Sequence, residues 1–361
     1  MTETMDPADA DFTPNPDRAI WIDGPIDKAL ERRLRPKILE LTAGSRAPIT
    51  VFINSRGGNF QVGHRILDLL TSAPEGESPC KIITVAGRSA ESMAADILSA
   101  GDFAIADPGT RLLFHGTRAA LPQALTADYA AALAQLLENC NRSATASFLG
   151  NLATRLLFLI SALRPEFEPH RASRNDETLT DLECFQAVLF EKVSPAAQAV
   201  LIRAAFNWNI RSGLVTHFEE EVRKVRLSGE PADIERLMLD SSVAFEYETR
   251  GTDREWSLRK RGLGKINEHF FFLDAYFRET NGIQFRALSE QWASPNLTED
   301  QDVLSAEEKA AKFRAFFLPF WSFFVAIRRT LHQAENALTA TDALFFGLID
   351  TVRAGFTAAR D

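Results

Sequence analysis

The N-terminal third of the chain alternates between short apolar runs and segments in which apolar residues recur every three to four positions. The first pattern is typical of buried strands and the second of amphipathic helices. Their alternation predicts an α/β fold with a largely parallel sheet and helical crossovers. The predicted strands span 19–24, 48–54, 80–87, 102–107 and 111–116, and the predicted helices span 27–42, 59–73 and 91–100.

The pattern changes at Thr126. Residues 126–149, TADYAAALAQLLENCNRSATASFL, form one long amphipathic segment that no strand follows. Residues 151–330 are helical in pattern almost throughout and rich in phenylalanine. This middle region therefore predicts an all-helical domain.

The last residues, 331–361, contain one more helix and one more strand. Thr339 and Asp342 form a capping-box pattern, and Gly347 follows as a helix stop. The apolar run LIDTV at 348–352 predicts a short final strand.

Composition narrows the classes of function. The 361 residues carry a net charge of −9, which argues against a general nucleic-acid binder because such a protein needs a basic face. Cys80, Cys140 and Cys184 show no C-x-x-C spacing. This sparse set suits a reducing compartment and predicts neither a disulfide framework nor a zinc site.

The N-terminus is acidic and contains prolines, without the basic and apolar segments of a signal peptide. We therefore predict a mobile acidic tail over 1–17 and a cytoplasmic location. The longest apolar run, AFFLPFWSFFVAI at 315–327, has 13 residues, whereas a membrane span needs about 20. This run predicts a buried helix or an oligomer contact rather than membrane association.

The stretch VAGRSAESMAADILSAG at 85–101 places a serine, Ser92, between an apolar strand and an apolar helix, among glycine and alanine residues. Small neighbours at a tight strand-to-helix turn favour a nucleophile. The amide of Met93, at the start of the helix, can then face a developing oxyanion. The alternative is that Ser92 only caps the helix.

Two further segments carry candidate chemistry. His115 ends the strand RLLFH and precedes Gly116, so it is either a general base or a satisfied core histidine. In INSRGG, 53–58, two glycines let the backbone turn and approach a ligand closely. The amide of Gly58 is a candidate second oxyanion donor, and the alternative is a plain turn.

Together these motifs resemble those of the proteolytic subunit of the Clp protease, a family of serine peptidases with the ClpP/crotonase fold. The resemblance covers about 18–150 and 331–356, and Arg56 departs from it where the family usually has proline. The matching motifs, in chain order, are GPID at 24–27, INSRGG at 53–58, AESM at 90–93, LLFH at 112–115 and ATDALFFGLID at 340–350.

The resemblance implies an architecture. Residues 18–150 would form a βαβ spiral core with a handle-type long helix, and 331–361 would return to that core. The helical region 151–330 would be an insertion that gates substrate access, binds a partner or replaces the usual ring contacts. The family has only a short connection at that point.

The resemblance also implies a catalytic site without a cofactor or metal. Ser92 would be the nucleophile, His115 the general base, and Glu335 the third triad member where the family has aspartate. The oxyanion donors would be the backbone N–H groups of Gly58 and Met93. Asn336 and Asp342 are alternatives for the third member, although Asp342 fits a helix cap better.

The implied function is serine endopeptidase activity on peptides or unfolded proteins inside a homo-oligomeric chamber. RGLGKIN at 261–267 lacks the spacing of a phosphate loop, so an AAA+ unfoldase partner would have to supply ATP-driven unfolding. Two alternatives stay open. One is a catalytically inactive ClpP-fold scaffold, and the other is a crotonase-like acyl-CoA enzyme, for which Glu91 is the only acid near the oxyanion loop.

Overall fold

The structure is a computed structural model that describes residues 12–73, 79–119, 126–174, 179–208, 245–246, 263–264, 320, 323–324 and 326–355. The chain forms two compact units. One consists of residues up to Asn151 together with those from Leu331 onward, and the other spans Leu152–Thr330. The candidate residues Ser92, His115 and Glu335 all lie in the first unit.

The first unit contains a mixed α/β fold built on a seven-stranded sheet. The strands are β1 (Ala19–Asp23), β2 (Ile49–Ser55), β3 (Ile82–Glu91), β4 (Phe103–Ala106), β5 (Arg111–Phe114), β8 (Asn336–Leu338) and β9 (Thr351–Val352). The path of the sheet runs β1-β2-β3-β4-β9 with parallel pairing throughout, while β5 pairs with β3 and β8. The five strands predicted in the N-terminal third are all present.

Three helices connect the parallel strands. The helices of this part are α1 (Lys28–Gly44), α2 (Phe60–Leu70) and α3 (Met93–Ala100). Asp27 caps α1 by accepting hydrogen bonds from the amides of Ala29 and Leu30, both at 2.9 Å. Asn59 caps α2 in the same way, through the amide of Val62 at 3.0 Å.

Strand β3 is longer than the predicted 80–87, and this extension positions the site. Its first half pairs with β4, whereas Ser89–Glu91 pair in parallel with β5. A register shift against β2 between Ile53 and Ser55 accompanies the change of partner. The carboxyl ends of β3 and β5 therefore lie side by side.

The C-terminal segment completes the same sheet. Strand β8, which the sequence pattern did not predict, pairs antiparallel with β5. Thr339 and Asp342 form the predicted capping box at the start of α8 (Ala340–Phe345), and Gly347 ends it with φ 63°. The last strand covers only two residues of the predicted 348–352.

The predicted tail over 1–17 is wrong for its last residues. The ring of Phe12 stacks on Phe103 with centroids 5.0 Å apart, and the amide of Asn15 donates to Thr50 Oγ1 at 2.9 Å. These contacts stabilise 12–17 against the sheet, because Phe12 gains apolar burial. Residues 1–11 lie outside the described part.

The second unit is helical in most of its described residues, but not in all. A two-residue antiparallel ladder joins β6 (Phe245–Glu246) and β7 (Leu263–Gly264), which corrects the all-helical prediction. Gly264 has low helix propensity, so the ladder lies where a helix is disfavoured. The remaining helices are α4 (Ala127–Leu163), which begins in the first unit, α5 (Phe167–Arg174), α6 (Asp181–Lys192) and α7 (Pro195–Trp208).

The described residues of the apolar run 315–327 are buried. Phe320 and Phe324 pack against Phe185, with ring centroids 5.3 and 5.8 Å away. Apart from the ladder, the segment 209–319 of the predicted helical domain lies outside the described residues, and so does most of RGLGKIN at 261–267. Within the part of the chain that the structure describes, no helix has the length and apolar character needed to cross a membrane.

Candidate active site

Ser92 forms the one-residue turn between β3 and α3. Its φ of 56° and ψ of −130° make it the one non-glycine residue with positive φ in the described part of the chain. Such a conformation costs about 1–3 kcal/mol and persists when the surroundings fix it. One contact that fixes the backbone here is the hydrogen bond from the Ser92 amide to the carbonyl oxygen of Leu113, at 2.7 Å.

The side chain of Ser92 makes no capping hydrogen bond, although the residue occupies the N-cap position of α3. The helix-cap alternative for this hydroxyl therefore does not hold. The residue is half-buried, while Ala90, Ala94 and Ala95 beside it are fully buried. Small side chains therefore surround the turn, as the sequence pattern indicates.

The glycine turn after β2 lies directly against Ser92. A Cβ placed on Gly57 would lie 2.7 Å from Ser92 Cβ and 3.2 Å from the amide nitrogen of Met93. Gly57 has φ 90°, which a side chain rarely adopts. A Cβ on Gly58 would overlap the carbonyl oxygen of Ile26, so no side chain fits there.

Two backbone amides at this turn are available for a ligand. In the described residues, neither the Gly58 amide nor the Met93 amide has a hydrogen-bond partner. Met93 is the first residue of α3, where the orphan amides and the helix dipole favour negative charge. These are the two predicted oxyanion donors.

His115 follows β5 and is half-buried. Its Nδ1 lies 2.6 Å from the carbonyl oxygen of Gly116. A carbonyl only accepts hydrogen bonds, so Nδ1 carries the proton and donates it. In the neutral ring Nε2 then keeps a free lone pair, which is the form that a general base requires.

Glu335 lies just before β8, on the other side of β5. The register pairs Phe114 with Asn336, so its continuation by one residue sets His115 opposite Glu335. The exposed Glu335 carboxylate forms an ion pair with Arg118. The Arg118 guanidinium, with a smaller contribution from the His115 ring, holds the pKa of Glu335 below its ordinary value.

The two alternatives for the third triad member have structural contacts of their own. Asn336 is buried and its amide nitrogen donates to Leu331 O and Ala334 O, both at 2.9 Å. Asp342 is buried, and its Oδ2 accepts from the Thr339 amide at 2.9 Å within the capping box. Of the three candidates, Glu335 is the one that the continued register sets opposite His115.

A pocket of about 560 Å³ opens beside His115. Glu335, Arg118 and the α4 residues Leu137 and Asn141 are among its lining residues, whereas Ser92 is not. Within the described chain, no hydrogen bond joins Ser92 to His115 or His115 to Glu335. The fold thus sets Ser92 and His115 after the neighbouring strands β3 and β5, and Glu335 opposite His115.

Sequence reasoning missed three side chains at this edge. Arg118 binds Glu335, which is 217 residues away in the chain. Asp96 Oδ1 meets His332 Nε2 at 3.1 Å across 236 residues. A local sequence pattern cannot predict these contacts, because each contact joins the first part of the chain to the last part.

The chemistry of the site is that of nucleophilic and acid–base groups. Among the described residues, no group of three histidine, cysteine, aspartate or glutamate side chains is arranged to hold a metal ion. The candidate groups are one hydroxyl, one imidazole, one carboxylate and two backbone amides. That set can perform acyl transfer.

Comparison with known proteins agrees with the motifs. The Clp protease family model matches residues 14–143, which include Ser92, His115 and both glycines of the turn. The match confirms the resemblance over this part of the chain. A comparison with curated proteins gives no match.

Proposed function

We propose that this chain, which carries a Clp protease family domain over residues 14–143, is a serine endopeptidase with Ser92 as nucleophile. The observation that carries the proposal is the turn itself. Ser92 has φ 56°, Gly57 packs against it, and the amides of Gly58 and Met93 beside it have no partner among the described residues.

In the first half-reaction, Ser92 Oγ attacks the carbonyl carbon of a peptide bond while its proton passes to His115 Nε2. The carbonyl oxygen becomes an oxyanion that accepts hydrogen bonds from the amides of Gly58 and Met93. The carbon–nitrogen bond then breaks, and His115 gives the proton to the leaving amine. An ester of Ser92 remains.

In the second half-reaction, His115 takes a proton from water, whose oxygen attacks the ester carbon. The same two amides hold the second oxyanion. Its collapse breaks the bond to Ser92 Oγ, which recovers a proton from His115. The carboxylic acid product leaves and the site is restored.

Labelling with a fluorophosphonate tests this assignment directly. The protein is incubated with the reagent and digested, and the modified peptide is identified by mass spectrometry. We expect one adduct, on the peptide that contains Ser92. Modification elsewhere, or no modification, contradicts the proposal.

Glu335 and Arg118 are expected to act in opposite directions. We propose that Glu335 orients His115 and stabilises the imidazolium, and that Arg118 draws the carboxylate away. Glu335→Gln should lower kcat by about 10²-fold to 10⁴-fold. Arg118→Ala should raise kcat by about twofold to fivefold, the scale of an exposed ion pair.

The measurement is steady-state hydrolysis of a fluorogenic peptide by the two variants and the wild type. The Glu335→Gln substitution keeps the shape of the side chain, so circular dichroism should be unchanged. Loss of activity in both variants would show that the ion pair itself, and not the free carboxylate, supports catalysis.

We also propose that the peptidase works as a homo-oligomer, through helix α4. Tyr129 and Leu136 are 51% and 55% exposed on this helix, and their spacing of seven residues places them on one face. An exposed apolar stripe on a helix favours a second copy as its cover. Substrates would be peptides or proteins unfolded by an AAA+ partner, and the cytoplasm is the proposed location.

Leu136→Glu is the corresponding prediction. A charge on this stripe should shift the protein to a smaller species by size-exclusion chromatography with light scattering. The matched control is Leu39→Glu, because Leu39 is 47% exposed on α1. A wild type that is already monomeric, or an unchanged mass in Leu136→Glu, contradicts assembly through α4.

An inactive scaffold is the second candidate function. The observation that favours it is the ion pair of Glu335 with Arg118, which leaves His115 without a carboxylate partner among the described residues. The function of the protein would then belong to the helical region 151–330, which precedes Glu335 in the chain and would act as a gate or a partner-binding domain. Absence of a Ser92 adduct together with an intact oligomer would support this candidate.

A further inference from the structure

A buried polar contact joins α3 to the segment that precedes β8. Asp96 Oδ1 and His332 Nε2 are 3.1 Å apart, and the two side chains are 11% and 4% exposed. Asp96 lies one helical turn after Ser92, and its amide donates to Ser92 O at 3.2 Å. The proposed mechanism does not use either side chain.

His332 also touches the segment that carries the general base. A Cβ built on Gly116 would overlap the carbonyl oxygen of His332, so the two backbones are in direct contact. Gly116 is the residue after His115, and His332 precedes Glu335 by three residues. One residue therefore meets all three segments that carry the candidate triad.

We propose that Asp96 and His332 are positioning residues that hold these three segments in register. The inference rests on the proposed function. The side chain of His332 holds its own segment against α3, the helix that begins after Ser92. The backbone carbonyl of His332 holds the same segment against Gly116, the residue after His115. Glu335 is thereby carried to the edge of β5.

The chemistry of the pair suits this role. A directional hydrogen bond between buried groups defines both distance and orientation, whereas apolar side chains can slide past one another. Asp96 accepts, so His332 Nε2 must carry a proton. Small displacements at a reacting centre have large effects on rate, about 100-fold for 1 Å.

The test compares variants that break the contact with variants that keep it. Asp96→Ala removes the acceptor, whereas the amide oxygen of Asp96→Asn still accepts from Nε2–H. His332→Leu removes the donor, whereas the amide of His332→Gln still donates. The rate constant for fluorophosphonate labelling of Ser92 should fall roughly tenfold to 100-fold in Asp96→Ala and His332→Leu, which break the contact. It should stay within about twofold of the wild type in Asp96→Asn and His332→Gln, which keep the contact.

A second readout does not depend on activity. In Asp96→Ala, hydrogen exchange of the backbone amides in 331–335, which precede the ladder with β5, should become faster, because this segment loses a buried contact. With a fluorogenic peptide, kcat should fall while KM stays unchanged. If Asp96→Ala does not fold, the two His332 variants give the same comparison.

The matched control is Asp102→Ala. It removes an ion pair with Lys81 at 3.2 Å and an acceptor for the Ile82 amide, at the opposite end of β3. That strand has ten residues, which is roughly 30 Å. Labelling of Ser92 and exchange in 331–335 should not change.

The outcomes separate this inference from the proposed function. A wild type that is not labelled at Ser92 removes the peptidase proposal itself. If the wild type is labelled and the folded Asp96→Ala and His332→Leu variants are labelled at the wild-type rate, the positioning role alone is overturned. Equal slowing of Asp96→Ala and Asp96→Asn also overturns it, because the amide retains the contact.

Discussion

Peptide hydrolysis by Ser92→Ala is expected to fall by about 10⁴-fold or more relative to the wild type, measured as kcat with a fluorogenic peptide. The alanine removes the attacking oxygen and leaves everything else in the proposed site in place. The two amides at Gly58 and Met93 keep their positions, so any residual rate comes from oxyanion binding alone.

The same substitution should leave the fold unchanged. Serine and alanine both carry a Cβ, so both bear the same penalty at φ 56°. The Ser92 hydroxyl makes no capping bond that alanine would lose. The free energy of unfolding should therefore change by no more than about 0.5 kcal/mol.

His115→Gln provides the comparison within the site. If Ser92 and His115 act as a unit, the double variant should be no slower than either single variant. Activity that survives in Ser92→Ala would assign hydrolysis to another residue or to a contaminant, and the peptidase proposal would then be abandoned.

Strands β1 to β5 and helices α1 to α3 of the first unit were predictable because each has its own local pattern. Leu30, Leu34, Ile38 and Leu41 recur at helical spacing and are all buried on one face of α1. The turn at Ser92 was predictable for the same reason, since small residues surround a serine between an apolar strand and helix. Local chemistry alone specified these features.

Features that depend on distant partners were not predictable. Strand β8 has only three residues, too few to stand out as a strand in the sequence, and it is a strand because β5 pairs with it. Helix α4 was predicted to end at 149, but it continues through Gly150 to Leu163. A glycine lowers helix propensity by only about 1 kcal/mol, which neighbouring residues can outweigh.

The ion pair of Glu335 is a feature that the family motif does not predict. The family pattern indicates a carboxylate at this position, but it says nothing about the side chain that the carboxylate meets. Arg118 is supplied by a loop 217 residues earlier, and no spacing rule connects the two. The ion pair of this candidate third triad member with Arg118 therefore follows from the structure and not from the sequence.

Gly57→Ala is the second prediction with a large effect. The added methyl group would lie 2.5 Å from Glu91 O and 2.7 Å from Ser92 Cβ, both closer than real contacts allow. Alanine at φ 90° also costs about 1–3 kcal/mol, and the overlap adds a similar amount. We expect the free energy of unfolding to fall by about 2–6 kcal/mol, measured by urea denaturation.

Gly57→Ala should also lower the reactivity of Ser92 strongly. Relief of the overlap must move either the glycine turn or the residue that supplies the nucleophile, and a shift of 1 Å lowers a rate by about 100-fold. Fluorophosphonate labelling of Ser92 in the folded fraction should slow by at least that factor. The rate constant is taken per folded molecule, so loss of stability does not enter it.

Gly24→Ala separates the two causes. Gly24 has φ 79°, close to that of Gly57, but no atom lies within 4 Å of its added Cβ. The free energy of unfolding of Gly24→Ala should therefore fall only by the cost of alanine at positive φ, about 1–3 kcal/mol. Its Ser92 should be labelled at the wild-type rate. Equal slowing of labelling in both variants would place the cause in the alanine at positive φ and not in the contact with Ser92. Slow labelling in Gly57→Ala alone would instead tie the rate to the contact between the glycine turn and Ser92, on which the proposed oxyanion site depends.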